Sequence, residues 1–441
     1  MTPYAERRAA LLSRMQAMGG GVAIIPTAPE VMRNADADYP YRHDSYFYYL
    51  SGFTEPEAVV VLVAGQENRS FLFCRDKNLE REIWDGYRYG PEAAKEEFGF
   101  DAAYAIDKLD TELPSLLANA PAIFYALGSK LESRVQGWLK AVRALARAGV
   151  TAPSTVHDVN VLLNEMRLTK DAHEAAIMRK AGIIAAGAHV RAMQASRPGL
   201  HEYQLEAELL HEFRRHGAQF PAYTSIVATG PNACVLHYRA GDAVLQDGDL
   251  VLIDAGCELD SYASDITRTF PANGRFSGPQ KELYEIVLES QKAAIALIAP
   301  GKRFTDNHDA AVRVLAQGML DTGLLNRDKV GTLDDVIANG DYRQFYMHRT
   351  GHWIGMDVHD VGDYRDPAPA GSERPWRTLQ PGMALTVEPG IYVRPAEGVP
   401  EQYWHIGIRI EDDALVTESG CEILTGDVPK SVSDIEALMK K

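Results

Sequence analysis

At 441 residues the chain is too long for one ordinary core, so two domains are expected. A net charge of −16, from 45 Lys+Arg against 61 Asp+Glu, argues against a nucleic-acid binder, and no apolar run is long enough to span a bilayer. Cys74, Cys234, Cys257 and Cys421 stand far apart, which points to neither a disulfide framework nor a thiolate zinc site.

The N-terminal "MTPYAERRAALLSRMQAMGG" reads as an amphipathic helix. It lacks an uninterrupted apolar stretch of the signal-peptide kind, so a cytoplasmic protein is expected. Short β runs follow in "GVAIIPT", "AVVVLVAG" and "SFLFCRD", and "ESRVQGWLKAVRALARAG" is a strongly amphipathic helix ending at Gly149. This alternation predicts an α/β domain around a mixed sheet, residues 1–169. From about 170 the character changes. "RLTKDAHEAAIMRKAGIIAAGAHVRAMQAS" begins a long helix with Thr169 or Asp171 as N-cap, and Pro198-Gly199 stops it. In "HEYQLEAELLHEFRRHG", Leu205, Leu209 and Phe213 mark one buried helical face. Strands dominate to about 270, a helix fills 278–297, and strands return near 384–425. Residues 170–441 are therefore expected to be an α+β domain, with helices covering a curved antiparallel sheet.

Within "LVLIDAGCELDSYASDITRTF" two strands each carry a carboxylate, Asp254 and Asp265. A hairpin turning at Leu259 and Asp260 would set them directly opposite each other, where like charges destabilise the pair. Either the register differs or a cation lies between them. There is a weak internal echo: "LTVEPG" and "IGIRIED" carry Glu388 and Glu411, and two halves contributing two carboxylates each suggest a pseudo-symmetric site. Arg268 and Arg409 lie near Asp265 and Glu411 and offer direct ion pairs, but two arginines cannot neutralise four carboxylates. "YMHRTGHWIGMDVHD" adds His348, His352 and His359, with Gly351 and Gly355 permitting close backbone approach. Oxygen-rich ligation with one imidazole favours a hard or borderline ion such as Mn²⁺, and four carboxylates suit two ions. "HEFRRH" at 211–216 spaces its histidines five apart, so they diverge around the helix and do not form a zinc motif.

These motifs, in order, resemble the pita-bread metallopeptidases, and among them the Xaa-Pro aminopeptidases. "LHYRAGDAVLQDGDLVLIDAGCE", "SDITRTFPANGRF", "GHWIGMDVHDVG", "LTVEPGIYV" and "HIGIRIEDD" carry the likeness, which covers essentially the whole chain. The resemblance implies a creatinase-like N-terminal domain used for oligomerisation and substrate access, and a pseudo-symmetric pita-bread catalytic domain. It implies two divalent ions, Mn²⁺ first with Co²⁺ or Zn²⁺ as alternatives, held by Asp254, Asp265, His352, Glu388 and Glu411. A metal-bridging hydroxide would cleave the bond between an N-terminal residue and a following proline. Glu388 would shuttle the proton, and His237 and His359 would bind substrate and stabilise the intermediate. His348 would line the proline site, Tyr392 and Arg409 would stand beside it, and Tyr223 would lie near the metals. Trp84 resembles a tryptophan that reaches a neighbouring subunit's site, or else packs as a surface aromatic. Peptides with proline second are the implied partners, with a homodimer or homotetramer as the assembly.

One departure stands out. The pattern expected after the first histidine of the loop is Gly, a hydrophobic residue, then a small one; here it is Arg349-Thr350-Gly351. The ligand position His352 is unaffected, and the shape and charge of the proline-side pocket are left open. Prolidase is the near alternative, with Arg374, Arg377 or Arg394 binding a dipeptide's carboxylate. Creatinase lacks the metal pair, methionine aminopeptidase lacks the leading domain, and a metal-free peptide-binding module would be expected to have lost ligands.

Overall fold

The computed structural model describes residues 2–440 and divides into two compact units between Met166 and Arg167. In the first unit, six strands lie in the order Ala102–Ala105, Arg69–Cys74, Val59–Ala64, Gly21–Pro26, Ala122–Tyr125, Thr155–Asp158. The sheet is mixed: Gly21–Pro26 runs antiparallel to Val59–Ala64 and parallel to Ala122–Tyr125. The central strands are apolar without alternation because both faces are covered. On one face, Val22, Ile24, Val61, Phe71 and Phe73 pack with Leu109, Leu113, Trp138 and Val142 from two helices.

The second unit opens on the Ala172–Ala195 helix. Asp171 is its N-cap, closed by a reciprocal capping box with Glu174. The Glu202–Arg215 helix buries Leu205, Leu209 and Phe213, the face its spacing predicted. His211 and His216 lie on its exposed side, where His216 meets Glu212. All strand pairing in this unit is antiparallel, and it comes in two related halves. One is Ile226–Thr229, Leu250–Asp254 and Thr267–Pro271; the other is Ala384–Val387, Asp412–Val416 and Cys421–Ile423. The halves are stitched where Glu411 N–H donates to the Thr267 carbonyl and the Thr269 hydroxyl donates to the Arg409 carbonyl.

The Leu250–Asp254 strand shows how the site is placed. Val251 and Ile253 join the large core with Leu283, Tyr284 and Val287 of the Gly278–Ile295 helix. Leu252 joins a smaller cluster with Ile226, Ala228 and Tyr392 on the other face. Asp254, two residues on, shares the face of Leu252.

The register differs from the expected one. Asp254 pairs with Thr267, and Leu259 pairs with Tyr262. The turn is therefore Asp260 and Ser261, both at positive φ (46° and 71°) as a tight two-residue hairpin turn demands. Asp265 is not in mid-strand but in the break between Tyr262–Ala263 and Thr267–Pro271. Gly256 makes that break possible, since a Cβ there would fall 1.7 Å from the Ser264 carbonyl oxygen.

Candidate metal centre

The break returns Asp265 to Asp254 by another route. The Tyr223 hydroxyl lies 2.5 Å from Asp254 Oδ1 and 2.5 Å from Asp265 Oδ1, a contact that binds the two carboxyl groups together. Around them a cavity of about 910 Å³ is lined by Asp254, Asp265, His352, Glu388 and Glu411, and also by Tyr223, His237, His348, His359 and Arg409. Tyr392 lies just behind, its hydroxyl accepting from Arg409 Nη1 at 2.9 Å and meeting His348 Nε2 at 2.9 Å. His237 and His359 present exposed rings to the cavity. Trp84 belongs to the first unit, on the Leu79–Asp85 helix, and is 83% exposed.

The two arginines do not pair as their positions suggested. Arg268 follows Asp265 by three residues and stands opposite Ile253, so it faces the helices. There it binds Asp412 at 2.7 Å and the Glu411 and Val428 carbonyls. Arg409 turns to the cavity and donates to Asp254 Oδ2 at 2.6 Å and to the Thr267 hydroxyl at 3.1 Å. That hydroxyl in turn donates to Glu411 Oε2 at 2.6 Å. Of the three arginines that line the cavity, Arg239, Arg349 and Arg409, only Arg409 is paired with one of its four carboxyl groups.

The electrostatics follow. Burial, reinforced by Asp265, Glu388 and Asp254, raises the Glu411 carboxyl well above its ordinary range. Burial and Asp254 raise Asp265. Burial pushes Glu388 up to about 7 against the pull of His352 and Arg409. Although burial opposes it, the hydrogen bond its ring donates to Asp265 and the charges of Glu388 and Asp265 lift His352 to about 9. Its Nε2 lies 3.6 Å from Asp265 Oδ2 and 3.7 Å from Glu388 Oε1, and its Nδ1 is held 2.9 Å from the Trp353 carbonyl. That carbonyl contact orients Nε2 inward, as metal-binding imidazoles require. Ligand atoms of Asp265, His352 and Glu411 all lie within 4.8 Å of one another. Oxygen and imidazole donors without a thiolate, with more negative charge than the chain neutralises, fit divalent cations.

Supporting groups escaped the sequence reading. Asp413 accepts the Asp265 backbone N–H at 2.9 Å, and Thr386 accepts that of His352 at 3.1 Å. Asp360 anchors the histidine loop through fully buried pairs with Arg167 at 2.6 Å and Lys170 at 2.9 Å. A Cβ on Gly355 would meet Asp360 Oδ2 at 2.2 Å and one on Gly351 the Thr386 carbonyl at 2.0 Å, so both glycines are needed for close approach. Asp413 was visible as the last letter of "EDD", but nothing local marked it as buried.

Residues 4–125 match the aminopeptidase P N-terminal domain, and residues 176–418 match metallopeptidase family M24. The Xaa-Pro aminopeptidase of Escherichia coli is 47% identical over 99% of this chain and 97% of its own, and that of Haemophilus influenzae is 45% identical over 99% and 96%. The solved structure of Pseudomonas aeruginosa aminopeptidase PepP superposes with a TM-score of 0.94 at 51% identity, covering 99% of this chain and 97% of that one. Zn-substituted E. coli aminopeptidase P in complex with product superposes at 0.93 and 46% identity, with the same coverage. No helix of the described residues is long and apolar enough to cross a membrane. With both of its units matched and its full length aligned, the chain belongs to metallopeptidase family M24, in its aminopeptidase P group.

Proposed function

We propose that the chain is a two-metal aminopeptidase that removes an N-terminal residue followed by proline. The observation that carries this reading is the convergence of Asp254, Asp265, His352, Glu388 and Glu411 on one cavity, where Arg409 is the arginine bound to one of the four carboxyl groups. These five residues would hold two divalent ions, Mn²⁺ first, with Co²⁺ or Zn²⁺ as alternatives. When bound, such a pair polarises the scissile carbonyl and makes water nucleophilic near neutral pH.

The chain's own groups supply the rest. The acidic floor attracts the free amine of the substrate and so fixes the cut one residue in. His237 and His359, on the cavity wall, donate to the oxygen on which negative charge develops. Glu388, with Oε2 facing His348 Nδ1 at 3.8 Å, takes a proton from the attacking water and delivers it to the proline nitrogen as the bond breaks. That nitrogen leaves poorly unless protonated, because it comes from a tertiary amide. His348 and Tyr392 border the space for the ring, and Arg409 and Tyr223 hold the acidic residues in place. We assign residues 170–441 to catalysis and 1–169 to subunit contacts and substrate access, with Trp84 entering a neighbouring subunit's site in a homodimer or homotetramer. Action in the cytoplasm completes the reading.

The three arginines offered for the dipeptidase alternative are engaged elsewhere. Arg374 pairs with Asp363, Arg377 with Asp366, and Arg394 donates to the Cys234 carbonyl. None of the three lines the cavity.

The test is hydrolysis of Xaa-Pro-Xaa tripeptides beside Xaa-Pro dipeptides, using chelator-stripped protein with Mn²⁺ restored. Metal-dependent release of the first residue from the tripeptide is expected, and Asp254→Ala and Glu411→Ala should each abolish it. Turnover retained in both variants, or cleavage of the dipeptide alone, would refute the proposal.

A further inference from the structure

A second groove, of about 1190 Å³, adjoins the catalytic cavity, and the two share His348, Arg349 and Trp376. The groove's charge is opposite to that of the cavity floor and of the chain as a whole. Five cations line it: Arg313, paired with Asp334 at 3.2 Å, and Lys302, Arg303, Arg343 and Arg349, all exposed and without an ion pair among the described residues. Its acidic residues are Asp306, which accepts the backbone N–H of Arg303, and Asp309. Positive character is felt inside as well: burial, then Arg349 and Arg343, lower the His308 imidazole to about 4.

The junction is built from Trp376. Arg349 lies over its ring at 5.0 Å and Arg365 at 3.8 Å, so the indole is flanked by two guanidiniums. This holds Arg349 at the boundary between cavity and groove while leaving its charge unpaired. Arg349 is also the residue at which the loop sequence departs from the expected pattern.

A peptide bound with its amine on the acidic floor must lead its remaining residues out of the cavity. We infer that they leave past Arg349 and Trp376 into this groove, which selects substrates whose residues after the proline carry negative charge. The inference rests on the peptidase reading and names the substrate class of that same site. Its physics is that of complementary potentials: unpaired cations in a channel raise the local concentration and residence of an anionic chain, and added salt weakens both.

The experiment compares two C-terminally amidated peptides, Ala-Pro-Gly-Glu-Glu and Ala-Pro-Gly-Lys-Lys, on the Mn²⁺-loaded full-length enzyme. Expected is a kcat/KM at least about five-fold higher for the acidic peptide at low salt, carried mainly by KM and falling toward parity near 0.5 M NaCl. Arg343→Glu, which changes a groove residue that does not line the catalytic cavity, should reverse the preference. Arg349→Gln should reduce it. Equal cleavage of the two peptides, or an acidic preference unchanged in Arg343→Glu, would overturn the groove assignment while leaving the peptidase reading intact. Cleavage of neither peptide by metal-loaded enzyme would overturn both.

Discussion

Gly256→Ala should be among the most damaging single-methyl changes in the chain. The added Cβ would lie 1.7 Å from the Ser264 carbonyl oxygen, 2.5 Å from its carbon and 3.2 Å from the Asp265 nitrogen. An ordinary contact needs about 3.4 Å or more, so backbone must move by roughly 1.5 Å, and no flexible side chain is there to yield. Overpacking of a core typically costs about 1–3 kcal/mol, and a clash against backbone belongs at the upper end. The segment forced to move is the one that delivers Asp265, and a misplacement of about 1 Å can cost roughly 100-fold in rate. Two readings are needed: urea unfolding for stability, and kcat with Mn²⁺ titration for the site. Gly137→Ala is the control, because Gly137 lies in the Glu132–Ala144 helix with nothing within 4 Å of its would-be Cβ. It should stabilise by about 0.5–1 kcal/mol. If Gly256→Ala unfolds within about 0.5 kcal/mol of wild type and retains full metal-dependent turnover, the argument that Gly256 positions Asp265 is wrong.

Other expectations concern pH, buried charge and metal. The His189 ring, with Nε2 2.9 Å from the Ala255 carbonyl, is lowered by burial from 6.5 to about 4. The unfolded chain therefore takes up a proton over that interval before the folded one does. Its contribution, up to roughly 3 kcal/mol, is present above pH 6.5 and lost as pH falls toward 4. His189→Asn should flatten the stability profile there, and an unchanged slope would count against this origin. Arg268→Met should destabilise by about 3 kcal/mol in chemical unfolding, since it strips a buried partner from Asp412, while Lys430 at 2.7 Å softens the loss. A double variant that also replaces Asp412 with leucine should cost less than the sum of the two singles. Mn²⁺ at 100 times its Kd should add about 2.7 kcal/mol to stability and raise Tm by several degrees, reversibly with chelator. No Tm response to Mn²⁺, Co²⁺ or Zn²⁺ would contradict a metal site.

What the sequence could reveal was set by how local each determinant is. The buried strands of the first unit are legible as unbroken apolar runs, and the cap of the long helix is legible as Thr169 or Asp171, a choice the capping box with Glu174 decides for Asp171. The acidic residues of the site stand out because carboxylates are out of place in strands such as "LVLID" and "IGIRIED". Register was not legible. A turn at Asp260 and Ser261 uses two non-glycine residues at positive φ, which composition does not announce, and moving the turn by one position set Thr267 rather than Asp265 opposite Asp254. Partner choice was not legible either. Whether an arginine faces cavity or helices depends on strand parity, so Arg268 and Arg409 could only be sorted once the register was known. The Arg349–Trp376 contact joins residues far apart in an irregular loop, where no periodicity exists to read.

Strand parity also sorts the charge. On the helix side, Asp412 is met by Arg268 and Lys430, and burial notwithstanding, those cations hold its carboxyl low. On the cavity side, Glu411, one residue earlier, is raised well above the ordinary carboxyl range by burial and by Asp265, Glu388 and Asp254. Adjacent carboxyls are thus treated oppositely, and only the cavity-facing one opposes folding. The sign can be worked out. A carboxyl whose folded pKa is raised binds more protons folded than unfolded, so metal-free stability falls as pH rises above the unfolded value near 4.5. Glu411→Gln keeps the shape, and its amide oxygen can still accept from the Thr267 hydroxyl, but it removes that charge. The metal-free variant should be more stable than metal-free wild type at pH 7, the gain should vanish near pH 4, and Mn²⁺ should no longer raise its Tm as it does in wild type. A variant less stable than wild type at neutral pH without metal would show that Glu411 serves the fold. The expected result would show instead that the folded chain keeps a destabilising charge in place for a cation to use.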